Sequence, residues 1–230
     1  MPDRTHELAQ AVRDLIDVVR TADLVDADLD HAIAAIRSVE GDLRPRVVAG
    51  LRMQAALRLS EEFMERRDEE RHFEVVDREP ADFFPYSPVI GERNPVSPPV
   101  HMWKEHLAPH SDAHGTFEIH GAATLGAPYN GPPGSVHGGV IAAVFDELLG
   151  STAVVNEVAG FTGTLTVVYR SPTPLDEPLT MRAWIDRVEG RKTFAAGELH
   201  HAGTLCAEAE GIFIGFDPGA FAERRAANLG

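Results

Sequence analysis

A single cysteine, Cys206, stands in 230 residues, so no internal disulfide can form and a reducing compartment is the expected setting. No run of about 18 apolar residues is seen, and the expectation is that nothing spans a bilayer. Residues 1–20 are too charged for a secretory signal, which makes the cytoplasm the expected location. G-x-S-x-G is missing, with Ser135 of PGSVHG out of frame, and this disfavours a serine hydrolase. H-E-x-x-H and paired cysteines are missing too, so no metal site is expected. Cations are few: 21 Lys and Arg face 36 Asp and Glu, a formal charge of −15 that repels nucleic acid and anionic membranes alike. The same holds for residues 1–79, where 12 Arg against 19 acids (12 − 19 = −7) disfavours a DNA-reading arm.

What remains is an ordinary soluble composition, 43% hydrophobic and 25% charged, long enough for one sizeable domain with an extension. Leu8, Val12, Leu15, Ile16 and Val19 fall at helical spacing and predict a helix over 6–20. Asp30 is a candidate cap for a second helix, HAIAAIRSVE, ending near Gly41, and 47–72 reads as a third. Residues 1–76 thus form a helical extension. Six prolines between 77 and 99 exclude regular helix or central strand, and the interleaved Phe83, Phe84 and Tyr86 predict that this connection lies against the body.

The main domain is expected over 100–218, with 219–230 as a tail. TFEIHGAA reads as a first strand and TLGAPYNGPPG as a loop. VHGGVIAAVFDELLG is the one long helical candidate of this half. TGTLTVVYR, LTMRAWIDRV, KTFAAGELHH and TLCAEAEGIFIGF follow as strands joined by short turns, which favours antiparallel pairing. The fold class is α+β, a sheet wrapped around a helix.

On that helix Val140, Ile141, Val144, Phe145, Leu148 and Leu149 fill one apolar arc. Asp146 points the other way, among Gly139, Ala142, Ala143 and Gly150. A solvent face usually carries several charges, whereas small residues let another backbone or a ligand approach. Gly138 and Gly139 leave first-turn N–H groups uncovered, and these carry the positive end of the helix dipole. Such an end can polarise a carbonyl. Base and donors nevertheless lie about 13 Å apart along one helix at 1.5 Å per residue. A second, antiparallel copy would have to bring them together, which implies a homodimer with two interfacial sites. In TGTLTVVYR, alternation places Thr162, Thr164, Thr166 and Arg170 on one face and Leu165, Val167 and Tyr169 on the other. Arg170 and the hairpin pair Arg191 and Lys192 stand out among the few cations after residue 113, a spot suited to a phosphate-bearing ligand or simply an exposed turn.

APYNGPPGSVHGGVIAAVFDELLG, LTVVYRSPTPL, DRVEGRKTFAAG and AEAEGIFIGFDP, in that order, resemble the hotdog-fold acyl-CoA thioesterases of the PaaI type and their relative thioesterase superfamily member 4. The resemblance covers roughly residues 116–217. It implies a hotdog fold of five or six strands around one long helix, dimers often paired into tetramers, and hydrolysis of acyl-CoA to acid and CoA without a cofactor. By position, Asp146 resembles the family's base or nucleophile. The backbone N–H groups of His137, Gly138 and Gly139 resemble its carbonyl-binding site, and Thr162 the hydroxyl beside the carboxylate. Val168, Arg170, Arg191 and Lys192 fall where relatives contact CoA. Many members carry Asn six residues before the HGG histidine; here Gly131 stands there and Asn130 is one residue early. Val168 is apolar where the nearest relative is polar. Two other functions remain in view: an acyl-thioester hydratase or dehydratase using a histidine and a carboxylate together, and a non-catalytic acyl-CoA-binding regulator.

Overall fold

The computed structural model describes residues 4–50, 52–58, 78–109 and 111–215. Two helices open the chain, α1 (Thr5–Thr21) and α2 (Asp26–Leu43), and a 3-10 turn, Arg44–Arg46, continues the second. Helix α1 matches its predicted span. Helix α2 begins four residues before the expected Asp30 cap and runs through Gly41, whose missing side chain has no atom near it to conflict with. The helix expected over 47–72 does not form at 47–50 or 52–58, which are bends and turns around an isolated bridge between Met53 and Ala56. The rest of that span, and the tail 219–230, lie outside the described residues.

The proline-rich connection lies on the body through Phe83 and Phe84, with Val89 and Ile90 in the core, while the Tyr86 N–H donates to the Gln54 carbonyl of the extension. It is not free of helix: α3 (Pro80–Phe83) is one turn with proline at its start, where the missing N–H is no loss. The Ser87 hydroxyl accepts from the amides of Val89 and Ile90 at 3.0 and 3.2 Å and turns the chain there.

Six strands follow: β1 (Val100–His106), β2 (His114–Thr124), β3 (Gly160–Tyr169), β4 (Pro178–Glu189), β5 (Lys192–His201) and β6 (Thr204–Gly215). Sequence pattern alone misses β1, because VHMWKEH follows two prolines and alternates polar with apolar only weakly. The sheet is antiparallel throughout, in the order β1-β2-β4-β5-β6-β3. Register shifts in β2, β3, β4 and β5–β6 bend it around α4 (Gly138–Val155).

The core is the seam between them. Ile141, Val144, Phe145, Leu148 and Leu149 of α4 meet Ile119, Met181, Ala183, Ile185, Leu199 and Phe213. Truncating Leu148 or Leu149, both fully buried, would cost about 2–5 kcal/mol. Gly197 and Gly211 admit Leu149, since an added Cβ would stand 3.1 and 3.0 Å from its methyl carbons. Helix α4 is, among the described residues, the one helix that passes for a membrane crossing by length and mean hydropathy, 1.5, although two carboxylates interrupt its apolar run. Half of it is buried within the sheet, and it carries Asp146 and Glu147, so it is the core helix of this domain.

Candidate active site

The face of α4 opposite the core is open, with Gly139 and Ala143 exposed and Asp146 and Gly150 partly so. The Thr162 hydroxyl donates to Asp146 Oδ1 at 2.8 Å, fixing the carboxylate against β3. Simple alternation does not produce this pair. Thr162 faces Phe213 and Thr164 faces Ile212, with Gly163 as the extra residue of a bulge. The bulge puts Thr162 on the helix side together with Leu165, Val167 and Tyr169. The expectation that Thr162 shares a face with Thr164 and Thr166 is therefore corrected. An alanine at 163 would place its Cβ 3.0 Å from the Ile214 side chain and 3.3 Å from the Ile212 carbonyl.

At the start of α4 the three predicted amides divide. His137 N–H donates to the Tyr129 carbonyl at 2.9 Å. Gly139 N–H donates to His137 Nδ1 at 2.9 Å, so the imidazole caps its own helix. Among the described residues, Gly138 N–H meets no acceptor. It is the one donor of the three without a described partner, at the positive end of the helix. The Tyr169 hydroxyl donates to the Gly138 carbonyl at 2.7 Å and ties this turn to the far end of β3.

The loop before the turn explains the glycine at 131. A Cβ there would lie 2.7 Å from His137 Cα and 3.1 Å from its nitrogen, so backbone occupies the space an asparagine side chain would need. Asn130 turns outward, and its Oδ1 accepts from Arg20 of α1 at 2.8 Å. This binding of the loop by the extension has no signal in the sequence.

Sequence reasoning assigns no role to Glu147. It lies beside the apolar arc under the connection, and its Oε1 is buried without a partner among the described residues. Burial is the main cause that raises its pKa to about 7; the Ser87 hydroxyl opposes this and the Asp146 charge adds to it. The Ser151 hydroxyl one turn on is also buried and unpaired among the described residues.

The residues expected to meet CoA fall at two ends. Arg191 and Lys192 sit at the β4–β5 turn, with Arg191 donating to the Gly215 carbonyl at 3.0 Å; Lys192 pairs in register with Ile214, near Thr162. Arg170 pairs with Glu208 at the other end of β3, next to Tyr169 and the HGG turn, and Val168 is exposed beside it. Seven residues of strand, about 20 Å, separate Thr162 from Tyr169. One chain thus presents Asp146, Thr162, Arg191 and Lys192 at one end and Gly138, Val168 and Arg170 at the other. Two open concavities, of about 520 and 210 Å³, are lined by other residues. Glu105, Glu118 and His120 are the one described group with metal-ligand spacing, all ligand atoms within 4.8 Å. They lie on the outer sheet face, where His120 pairs with Glu118 at 2.8 Å and Trp103 donates to Glu105, and they are remote from α4.

Residues 133–208 match the thioesterase superfamily. The chain is 36% identical over 95 residues to acyl-coenzyme A thioesterase THEM4 of Mus musculus, covering 40% of this chain and 41% of that protein. It is 37% identical over 94 residues to THEM4 of Xenopus laevis, covering 40% and 42%. It therefore spans about two fifths of the length of these curated relatives. The crystal structure of a thioesterase superfamily protein superposes with a TM-score of 0.71 at 30% identity, over 93% of this chain and 92% of that one.

Proposed function

The chain belongs to the thioesterase superfamily, and on that premise we propose that it hydrolyses acyl-CoA thioesters to a free carboxylic acid and CoA. The observation that carries the reading is a carboxylate, Asp146, held by Thr162 on an uncovered face of small residues. Gly138 N–H supplies the matching electrophilic site, a dipole end aimed where a thioester oxygen gains charge. Asp146 either removes a proton from water as it adds to the carbonyl, or adds to the carbonyl itself to give an acyl-aspartyl anhydride that water then hydrolyses. In both routes the C–S bond breaks, and CoA leaves as a thiolate and takes up the proton released by water. No cofactor enters this scheme.

The two groups lie on one helix eight residues apart, about 12 Å along its axis, too far to act on one carbonyl. The working site combines Asp146 and Thr162 of one subunit with the Gly138 turn of another, the two α4 helices running antiparallel. The uncovered edge of β3 supports this pairing, with Phe161 and Tyr169 more than half exposed along it. The same antiparallel arrangement brings Arg170 of one copy toward Arg191 and Lys192 of its twin, a cationic margin for the CoA phosphates. The names of the THEM4 relatives, which denote acyl-coenzyme A thioesterases, point to the same substrate class. A hydratase would need a free imidazole beside the carboxylate, and the His137 ring is engaged in capping.

Asp146→Asn keeps the hydrogen bond to Thr162 and removes the base. With saturated acyl-CoA esters and a thiol reagent, hydrolysis should fall by about 10²–10⁴-fold, with circular dichroism and sedimentation unchanged. Wild-type turnover in this variant would overturn the role of Asp146.

A further inference from the structure

Helix α1 sits on its own chain the wrong way round. Buried Ala9 and the guanidinium of Arg13, which donates to the Asn94 carbonyl at 2.9 Å, form its contact side, and Arg20 holds Asn130. The apolar stripe, with Leu8, Leu15 and Val19 each 40–55% exposed, faces away from the body. Helix α2 is more isolated still. None of its described residues is buried, and it packs on the 3-10 turn that continues it. Leu29, Ile33, Ile36, Val39 and Leu43 recur at helical spacing on one side and are 37–56% exposed.

An 18-residue helix is marginal in water without an apolar surface to rest on. Together the two stripes expose several hundred Å² of apolar side chain, the scale at which a patch marks an interface. The charge of α2 narrows the choice of occupant: five carboxylates and one arginine (1 − 5 = −4) repel an anionic bilayer. Position selects among proteins. The end of α1 is fastened through Arg20 to Asn130, which bridges to Val136, the residue before the turn that the proposed site sets against a twin subunit. The arm therefore starts at the seam between copies and carries its stripes onward from there.

We infer that the α1–α2 arm docks its apolar stripes on a second copy of this chain, extending the subunit contact beyond β3 and α4. The inference rests on the composite site proposed above and adds a further surface to it. The test uses full-length protein with the double substitution Ile33→Glu and Ile36→Glu, both positions being exposed in the single chain, and Val96→Glu, at a still more exposed position, as the control. Sedimentation across a dilution series should show the dimer dissociation constant raised at least tenfold by the double variant and unmoved by the control. Amide exchange of α2 should be slow in the dimer and fast in that variant. An unchanged constant together with fast exchange of α2 in the wild-type dimer would overturn the arm while leaving the composite site standing. An active monomer would overturn both. Flotation of the wild type with neutral phosphatidylcholine vesicles, lost in the double variant, would assign the stripes to lipid and overturn the arm as well.

Discussion

At the scale of single residues, the contrast between Asp146 and Glu147 shows how one step along a helix separates two fates. A 100° turn takes the carboxyl from an open trough, where Thr162 holds it, to a buried flank beside the Ser87 hydroxyl. Glu147, raised to about 7 against an ordinary 4.5, is neutral in the folded chain over a range where the unfolded chain is charged. Its contribution to stability is thus fully present below pH 4.5, declines as pH rises toward 7, and stays lost above. The loss is of order 3 kcal/mol, since each tenfold change in a protonation equilibrium is worth about 1.4 kcal/mol. Glu147→Gln removes this slope: urea midpoints at pH 5 and pH 8 should converge in the variant, while the wild type is the weaker of the two at pH 8. Equal slopes in both proteins would remove Glu147 from the account. The sequence marks Asp146 by its company of glycine and alanine. It gives no mark to Glu147, because the layer covering it comes from a segment about 60 residues earlier whose docking no local pattern encodes.

At the scale of elements, periodicity carries α1, α4 and five of the six strands, since each has a well-defined apolar face. It fails where tertiary contact overrides the pattern. Strand β1 is short and partly polar on both sides, and the bulge at Gly163 reverses a face that counting by twos assigns wrongly. The turn into α4 shows a similar limit. HGG announces exposed amides, yet the structure assigns two of the three to Tyr129 and to the His137 ring. The asparagine that the family resemblance leads one to seek at 131 has no room beside the His137 backbone. Gly131→Asn should accordingly lower kcat at least tenfold rather than raise it, through displacement of the Gly138 donor. A rise in kcat, measured on the same acyl-CoA ester, would mean the loop can accommodate the side chain and use it.

For the whole molecule, the composite site proposed above, with Asp146 and Gly138 eight residues apart on one helix, would make activity a property of pairs. Gly138 is the first residue of α4, a position that tolerates proline, so Gly138→Pro removes the donor while keeping the helix. Asp146→Asn and Gly138→Pro proteins should each be inactive alone. Unfolded together and refolded as an equal mixture, they should recover about a quarter of wild-type activity, because half the dimers then hold one intact site of two. Recovery of nothing, with mixed dimers verified by mass, would place both groups in one subunit's site. None of this pairing is legible in a single sequence beyond the arithmetic of helical rise.

The two margins of the sheet are not alike. The margin at β1 is blunted, with the Lys104 amide donating to the Glu79 carboxylate at 2.9 Å, while along β3 ten residues run at the rim with β6 on one side only. A freshly synthesised chain would hold that rim open to any strand of similar length, its own unfolded siblings included. Soluble yield should therefore depend on how soon a finished chain meets another, and crowded, slow production would favour tangles over pairs.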